Sequence, residues 1–377
     1  MGISASQHSD ARCRPQPGGA DDRNAAAQGL RSYRANAQCY VLIALCLAGS
    51  AQADTYRIAT FSAPLSRGGP GLLLRDIARG DDAQLTAIGN IIARVAPDVL
   101  VLTDFDYDLD HLALQAFAER LQPSYPYHFA RRPNAGLATG LDLDGNGRLG
   151  DARDAQGYGR FAGDGGMAIL SRYPIDEAGA TDLSDVLWKD LPGATLPDVD
   201  GNPFPSAAAQ DILRLSSTGH WTVPVVLGDG LTVSIMAFSA TPPVFDGPED
   251  MNGLRNRDEL RLWEEVLRGS YGPVPSSFVI AGNANLDPHA GAGFSDAMAA
   301  FLANPQLQDP LLNQPTAEWP DDGPGALRVS YVLPSADWTI TNAGVFWPGV
   351  DDPDRALIGE DGLAAGPHRL VWVEISR

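Results

Sequence analysis

Short apolar runs that end in polar residues recur along the chain from residue 55 onward. The clearest covers residues 278–281 and passes through Gly282 into Asn283, Asn285 and Asp287. A run this short and this rich in β-branched residues predicts a buried strand. Runs of the same kind cover residues 55–61, 98–102, 166–171, 231–237, 327–333 and 369–375. Polar residues at the ends of buried strands often bind ligands or catalyse reactions, so we expect a functional site there.

Helical periodicity is found in fewer segments. Between Asp82 and Val95 apolar residues recur every three or four positions, and Pro97 then ends the helix. Residues 111–121, 256–267 and 294–302 have similar spacing, whereas residues 130–165 are rich in Gly, Asp and Arg and predict a long loop. Strands outnumber helices, with no repeat or linker between them. This pattern predicts one α+β domain in which two packed mixed β-sheets are flanked by helices.

The first 53 residues have a different pattern. Arg31 and Arg34 precede an apolar run over residues 40–48, and Ala51-Gln52-Ala53 follows it. A basic segment, a short apolar segment and an A-x-A site are typical of a secretory signal peptide. We therefore predict a leader and signal peptide over residues 1–53 and a single domain over residues 54–377, exported to the periplasm or the extracellular space. A buried helix is the alternative for the apolar run, which is too short to span a membrane.

Composition restricts the partners and the chemistry. The chain has a formal net charge of -20, and Lys189 is its only lysine. A strongly acidic surface repels nucleic acid and anionic membranes, so nucleic acid is disfavoured as a partner. All three cysteines (Cys13, Cys39 and Cys46) precede residue 54, so the exported domain is expected to have no disulfide and no thiolate metal site. No later segment is apolar enough to span a membrane; we expect a monomer, and no partner is identified.

The order of the strand segments resembles that of a known family. Residues 57–61, 98–104, 166–174, 282–288, 327–334 and 368–375 resemble, in order, the endonuclease/exonuclease/phosphatase family of DNase I-like phosphoester hydrolases. The resemblance spans residues 56–376 and implies a four-layered α/β sandwich. It also implies hydrolysis of a phosphoester substrate with Mg²⁺ or Mn²⁺. Residues 241–247 and 252–256 are most similar to an exported bacterial branch of the family.

The positions that carry the chemistry in that family depart from its pattern. Asn285 and His368 match the family's residues, and Asp104 keeps the charge of a metal-binding Glu. The remaining departures are Ser62 for Asn, Ser239 for His, Asn283 for the Asp of Gly-Asp-x-Asn, Ser330 for the Asp before Tyr, and Pro367 for the Asp of Ser-Asp-His. An amide cannot accept a proton from water, and a hydroxyl cannot stabilise an imidazolium as a carboxylate does. The usual mechanism is therefore expected to be broken.

Three functional hypotheses follow from this comparison. The first is a family member with a degraded hydrolytic centre, a pseudoenzyme or a repurposed binding protein. The second is an active metal-dependent phosphodiesterase or phosphatase with a variant site, in which a nearby group such as Asp287 substitutes. The third is a calcium-stabilised extracellular binding module. His368 as a buried structural histidine and Asn285 as a turn residue are the simpler alternatives for those two positions.

A candidate calcium loop lies in the long segment over residues 130–165. Asp142, Asp144 and Asn146 alternate as in the first half of a calcium-binding loop, and a glycine and an apolar residue follow. Arg153 stands at the twelfth position, where such loops carry a bidentate Glu, so Asp151 or Asp154 would have to supply that oxygen. The alternative is a solvated surface loop of Gly and Asp.

Overall fold

The structure, a computed structural model, describes residues 54–320 and 323–377. Its strands are β1 (Thr55–Leu65), β2 (Val99–Phe105), β3 (Tyr127–Phe129), β4 (Gly166–Ser171), β5 (Thr181–Asp182), β6 (Asp198–Val199), β7 (Asn202–Pro203), β8 (Gly219–Val226), β9 (Thr232–Ser239), β10 (Phe278–Asn283), β11 (Ala317–Trp319), β12 (Gly325–Leu327), β13 (Ser330–Pro334), β14 (Thr339–Val345) and β15 (Val371–Ser376). The predicted signal peptide over residues 1–53 lies outside the described residues.

Two large sheets contain most of these strands. One has six strands in the order β14-β15-β1-β2-β4-β3, and the other has five in the order β13-β10-β9-β8-β5. Both are mixed, because β1 pairs with β2 and β9 with β10 in parallel, whereas β15, β4, β8 and β13 join them in antiparallel. The pairs β6–β7 and β11–β12 form separate two-stranded ribbons.

Most of the α-helices in the described residues cover the outer faces of the two sheets. The helices are α1 (Leu72–Arg79), α2 (Ala83–Val95), α3 (Leu112–Ala118), α4 (Ala207–Ile212), α5 (Met251–Leu267) and α6 (Ser295–Leu302), with 3₁₀ turns at Trp188–Asp190 and Pro353–Leu357. Helix α2 begins where the sequence predicts, because the Asp82 carboxylate accepts a hydrogen bond from the Leu85 amide at 2.8 Å. Within the described part of the chain, no helix is long and apolar enough to cross a bilayer.

Three apolar layers hold the sheets and helices together. Alternate residues of facing strands fill the space between the sheets, among them Ile58, Val101, Ile169, Val223, Ile235 and Val279. The outer face of the six-stranded sheet packs on α1, α2 and α3. The outer face of the five-stranded sheet packs on α5 and α6. This helix–sheet–sheet–helix order confirms the predicted α+β sandwich of two packed mixed sheets flanked by helices.

Several elements differ from the sequence prediction. Strand β1 continues to Leu65, and α5 begins at Met251, five residues before the predicted Asn256. Helices α1 and α4 and strands β3 and β14 were not predicted. Strand β14 lies at the edge of its sheet and has no fully buried residue, so it lacks the apolar run by which buried strands are recognised. Helix α1 buries only Leu73 and Ile77, too few positions to establish a helical period.

The parallel pair β9–β10 depends on a close backbone approach at Gly282. A Cβ at this position would lie 2.0 Å from the carbonyl oxygen of Phe238 in the neighbouring strand. We expect Gly282→Ala to lower the free energy of unfolding by about 3 kcal/mol, because the carbonyl belongs to a sheet backbone that cannot move aside. Urea unfolding measures this change.

Gly349→Ala is the matched control. A Cβ at Gly349 would meet no atom within 4 Å. This variant is expected to change the free energy of unfolding by less than about 0.5 kcal/mol. Equal destabilisation by the two variants would contradict the close approach.

Candidate functional site

Polar residues from both sheets meet at one end of the sandwich. Ser62 of β1 accepts a hydrogen bond from Asn283 Nδ2 at 3.4 Å across the space between the sheets. Asn283 is the last residue of β10 and stands in register with Ser239, the last of β9, and with Ser330, the first of β13. The structure therefore brings together four of the residues that the sequence predicted for the site. We call this end of the sandwich the site edge.

The side-chain amide of Asn283 belongs to a local hydrogen-bond network of neutral groups. Its Nδ2 donates to Asn285 Oδ1 at 3.1 Å as well as to Ser62, and its Oδ1 accepts from Ser330 Oγ at 3.5 Å. Asn283 is almost fully buried, as are Ser330 and Ser62. Amides and hydroxyls can be buried at little cost when they bond one another, whereas a carboxylate here would need a counter-charge.

Asn285 forms a turn beside this network. Its backbone is left-handed, with φ 51°, and its Nδ2 donates to the Ala240 carbonyl at 2.8 Å. Asparagine tolerates this conformation better than most residues. The Asn285 side chain thus links the end of β10 to the end of β9 and also contacts Asn283. Asn285 is therefore both a turn residue and a neighbour of the residues predicted for the site.

His368 takes no part in the hydrogen bonds described around Asn283. It forms a β-bridge with Ala317, and its ring stands edge-on to Trp319 with the ring centroids 5.2 Å apart. Among residues 54–320 and 323–377, no group accepts or donates a hydrogen bond at its buried Nδ1. Burial lowers the pKa of His368 to about 4, so its imidazole is neutral at pH 7. The preceding Pro367 contributes only its backbone carbonyl, which accepts from the Glu318 amide at 3.0 Å.

Asp104 stands at the end of β2 in an acidic environment. Its backbone is left-handed, with φ 64°. Burial, together with the neighbouring carboxylates of Asp106 and Asp164, raises the pKa of Asp104 to about 7, although Arg160 and Arg67 partly offset them. Asp106 and Asp164 are themselves held by hydrogen bonds from Arg67 N, Ser66 Oγ and Arg160 N.

These residues do not fit a magnesium or manganese centre of the usual kind. Such ions prefer several hard, charged oxygen ligands. At the site edge the side chains of Ser62, Asn283 and Ser330 offer neutral oxygens that already accept or donate hydrogen bonds within the protein. Asp104 is the predicted metal ligand of this centre, but none of the side chains that meet at the site edge is a carboxylate.

Two buried residues that the sequence analysis missed fix the geometry of the site edge. Asn256 Nδ2 donates to the carbonyls of Thr241 and Ala284, both at 2.7 Å. The Glu259 carboxylate accepts from Thr241 N at 2.6 Å and from Ser217 N at 2.6 Å. Both residues come from the buried face of α5 and have almost no exposed surface. Their spacing of three residues on an amphipathic helix was the available signal, since polar side chains on a core-facing stripe need buried partners.

The candidate calcium loop brings acidic oxygens together. Carboxylate oxygens of Asp142, Asp144 and Asp154 lie within 4.8 Å of one another. The sequence left open whether Asp151 or Asp154 supplies the remaining oxygen, and in the structure Asp154 lies in the cluster. Asn146 uses its Nδ2 to donate to Asp144 at 3.1 Å and to Asp151 at 2.7 Å, so it supports the cluster without joining it.

The raised pKa of Asp104 predicts a pH dependence of stability. The pKa of the carboxyl is 3.8 in the unfolded chain but about 7 in the folded protein, so the folded state binds more protons between these values. Its contribution to stability therefore falls as the pH rises from 4 to 8. We expect Asp104→Asn to stabilise the protein by about 1–2 kcal/mol more at pH 8 than at pH 5.

Urea unfolding in the presence of a chelator measures this difference. Asn tolerates the left-handed backbone at position 104, so the variant tests charge rather than conformation. Asp110→Asn, at an exposed position in the same segment, is the control and is expected to show no such pH-dependent gain. An equal gain at both pH values for Asp104→Asn would contradict the expectation.

Comparisons with known proteins agree with the fold. The model of the endonuclease/exonuclease/phosphatase family matches residues 66–372. An endonuclease/exonuclease/phosphatase from Beutenbergia cavernae is similar in structure, with a TM-score of 0.51 and 16% identity over 85% of this chain and 71% of that chain. A family protein from Bacteroides thetaiotaomicron has a TM-score of 0.47 and 15% identity over 86% of this chain and 95% of its own. No curated protein sequence matches the chain. The family model covers most of the sequence, and the chain belongs to the endonuclease/exonuclease/phosphatase family.

Proposed function

We propose that residues 54–377 form an exported member of the family whose phosphoester-hydrolysing site is degraded, so that the protein binds a partner or ligand instead of hydrolysing it. The observation that carries this proposal is the neutral network around Asn283. At the position where the family resemblance implies a water-positioning acid, the amide is bonded to Ser62, Asn285 and Ser330.

Hydrolysis of a phosphoester requires a base for the attacking water and charged ligands for the metal ion. The network around Asn283 provides neither. An amide has no basic site for the proton of an attacking water, and neutral oxygens stabilise a divalent cation poorly. The hydroxyl of Ser239 does not titrate in the range where a histidine would. Loss of a general acid–base group usually costs about 10²–10⁴ in rate, and groups that act as a unit are not independent.

His368 gives the proposal a second support. In catalysis a histidine is usually oriented by a carboxylate that also stabilises its protonated form. Here the buried Nδ1 has no such partner in the described part of the chain, and burial holds the pKa of the ring near 4. A neutral imidazole without a carboxylate partner among the described residues is poorly suited to accept or hold a proton at pH 7.

Asp287 is not well placed to replace the missing acid. One of its oxygens accepts from the amides of His289 and Ala290 at 2.8 and 3.0 Å, and the other accepts from the amide of Arg328 at 2.7 Å. These bonds stabilise the turn after β10 and occupy the carboxylate. The intact packing of both sheets, in contrast, supports a protein that is maintained as a folded binding surface.

A turnover assay tests the proposal. With Mg²⁺ or Mn²⁺, the protein is expected to hydrolyse neither bis-p-nitrophenyl phosphate nor DNA above the rate of the metal alone. His368→Ala is expected to leave that background rate unchanged. Metal-dependent turnover that His368→Ala abolishes would overturn the proposal and favour an active enzyme with a variant site.

The reverse substitutions provide a gain-of-function test. The combined variant Ser239→His, Asn283→Asp, Ser330→Asp and Pro367→Asp is expected to hydrolyse bis-p-nitrophenyl phosphate with Mg²⁺ if the backbone geometry of the family has been retained. Unfolding by urea must first show that this variant folds. A folded but silent variant would show that the shape of the site edge has changed as well as its chemistry.

The convergence of three carboxylates favours calcium as a stabilising ion of the long loop. Asp154 is almost fully buried and accepts the Leu143 and Gly150 amides, both at 2.8 Å, so it connects the cluster to the body of the loop. In this second proposal calcium orders residues 142–154 of an extracellular binding module, and the fold acts as a scaffold.

Thermal unfolding tests the calcium proposal. Millimolar Ca²⁺ is expected to raise the Tm by about 2–5 °C, because an ion that binds only the folded state stabilises it. The double variant Asp142→Ala/Asp144→Ala should lose this response. Asp198→Ala/Asp200→Ala, an equally spaced pair at the exposed turn between β6 and β7, should keep it. A calcium response that persists without Asp142 and Asp144 would exclude the loop.

A further inference from the structure

Two arginines in the segment between β14 and β15 form no ion pair with any carboxylate of residues 54–320 and 323–377. The guanidinium of Arg369 is buried, with the side chain 3% exposed. Its Nη1 donates to the carbonyls of Gly366 and Pro367 at 3.0 and 3.1 Å, and its Cζ lies over the ring of Trp347, 4.6 Å from the centroid. These contacts fix the position of the positive charge but do not neutralise it.

Arg355 directs a second guanidinium to the same place. Its Nη2 donates to the Glu360 carbonyl at 2.7 Å, again a neutral acceptor. An ideal Cβ on Gly362 would stand 3.5 Å from Nη2 of Arg355 and 3.5 Å from Nη2 of Arg369. The Nη2 atoms of the two arginines are therefore no farther apart than twice 3.5 Å, and Gly362, which lies between them, has no side chain.

This pair is unusual for so acidic a chain. Among the described residues, most other buried or half-buried arginines have a carboxylate partner, as in Arg328 with Asp309 and Arg57 with Glu374. Arg255 is an exception, because its guanidinium donates to the carbonyls of Leu215, Gln156 and Arg214. Across residues 54–320 and 323–377, no carboxylate lies within ion-pair distance of Arg355 or Arg369. Glu318 is near enough to raise the pKa of Arg369, but burial and the charge of Arg355 lower that pKa. Two like charges held together in a partly buried place favour an anion from outside.

We propose that Arg355 and Arg369 form a binding site for a tetrahedral oxyanion, a phosphate or sulfate group. A carboxylate can be satisfied by one guanidinium, whereas a tetrahedral dianion has oxygens for two and balances both charges. Arg355 is partly exposed, which gives a ligand access from solvent. The Arg369 amide donates to Thr316 O, and Thr316 Oγ1 accepts from Ser330 N, so the pair lies beside the site edge but uses none of its predicted residues.

Isothermal titration of the full-length protein with inorganic phosphate, and separately with inorganic sulfate, tests this site at low ionic strength. Binding of at least one of the two is expected in the millimolar range or tighter and should weaken as NaCl is added. Arg355→Gln is expected to weaken it about tenfold or more, because a charged hydrogen-bonding group is lost. Tighter binding of phosphate than of sulfate would identify a phosphorylated ligand, and the reverse order would identify a sulfated one.

Arg132→Gln is the matched control, since Arg132 is exposed and lies in another part of the chain. The affinity of the Arg132→Gln variant for either anion should equal that of the unaltered protein. Urea unfolding without anion shows whether Arg355→Gln is folded, and Arg355→Lys, which keeps the charge, should recover part of the affinity. Absence of binding, or binding that Arg355→Gln leaves unchanged, would overturn the inference. Neither result bears on the proposed loss of hydrolysis, which is measured by turnover.

Discussion

The site edge depends on two buried polar side chains of helix α5. Asn256 holds the carbonyls of Thr241 and Ala284, and Glu259 holds the amides of Thr241 and Ser217. The ends of β9 and β10 and the segment before β8 are thereby fixed to one helix. Backbone groups that leave a sheet lose their ladder partners and must find others when they are buried. Asn256 and Glu259 provide those partners, and their position does not depend on which side chains the strand ends carry.

Because these contacts are made with backbone groups, the side chains at the strand ends can change without a change in the framework. Burial raises the pKa of Glu259, and the charge of Arg255 together with hydrogen bonds from backbone and hydroxyl groups opposes that rise. A catalytic carboxylate at position 283 would have no comparable set of donors unless a metal ion were present. The neutral network of Ser62, Asn283 and Ser330 is stable without a metal. Where a carboxylate does remain, at Asp104, burial and like charges raise its pKa to about 7.

The sequence predicted the framework well because buried strands and amphipathic helices leave periodic apolar patterns. The start of α2 at Asp82 was predictable from a single capping residue, whereas α1 and β14 bury too little to be recognised. The polar strand ends predicted that these residues meet at one edge of the sheets, and the family resemblance predicted a site there. Neither could show that the ring of His368 packs against Trp319 or that Glu259 accepts a hydrogen bond from the Thr241 amide. Those contacts join residues far apart in sequence, and no local pattern encodes them.

The Arg355–Arg369 pair shows how the net charge of a protein can mislead about its ligands. A formal charge of -20 disfavours anions at long range, and screening by salt confines that effect to about 8–10 Å in physiological solution. A guanidinium pair acts at hydrogen-bond distance, where local geometry outweighs the distant surface charge. Within the described part of the chain, the two arginines are oriented by backbone carbonyls and by Trp347, and no ion pair there consumes their donors. Composition therefore limits how fast an anion approaches this surface, whereas the side chains within contact distance determine whether it stays.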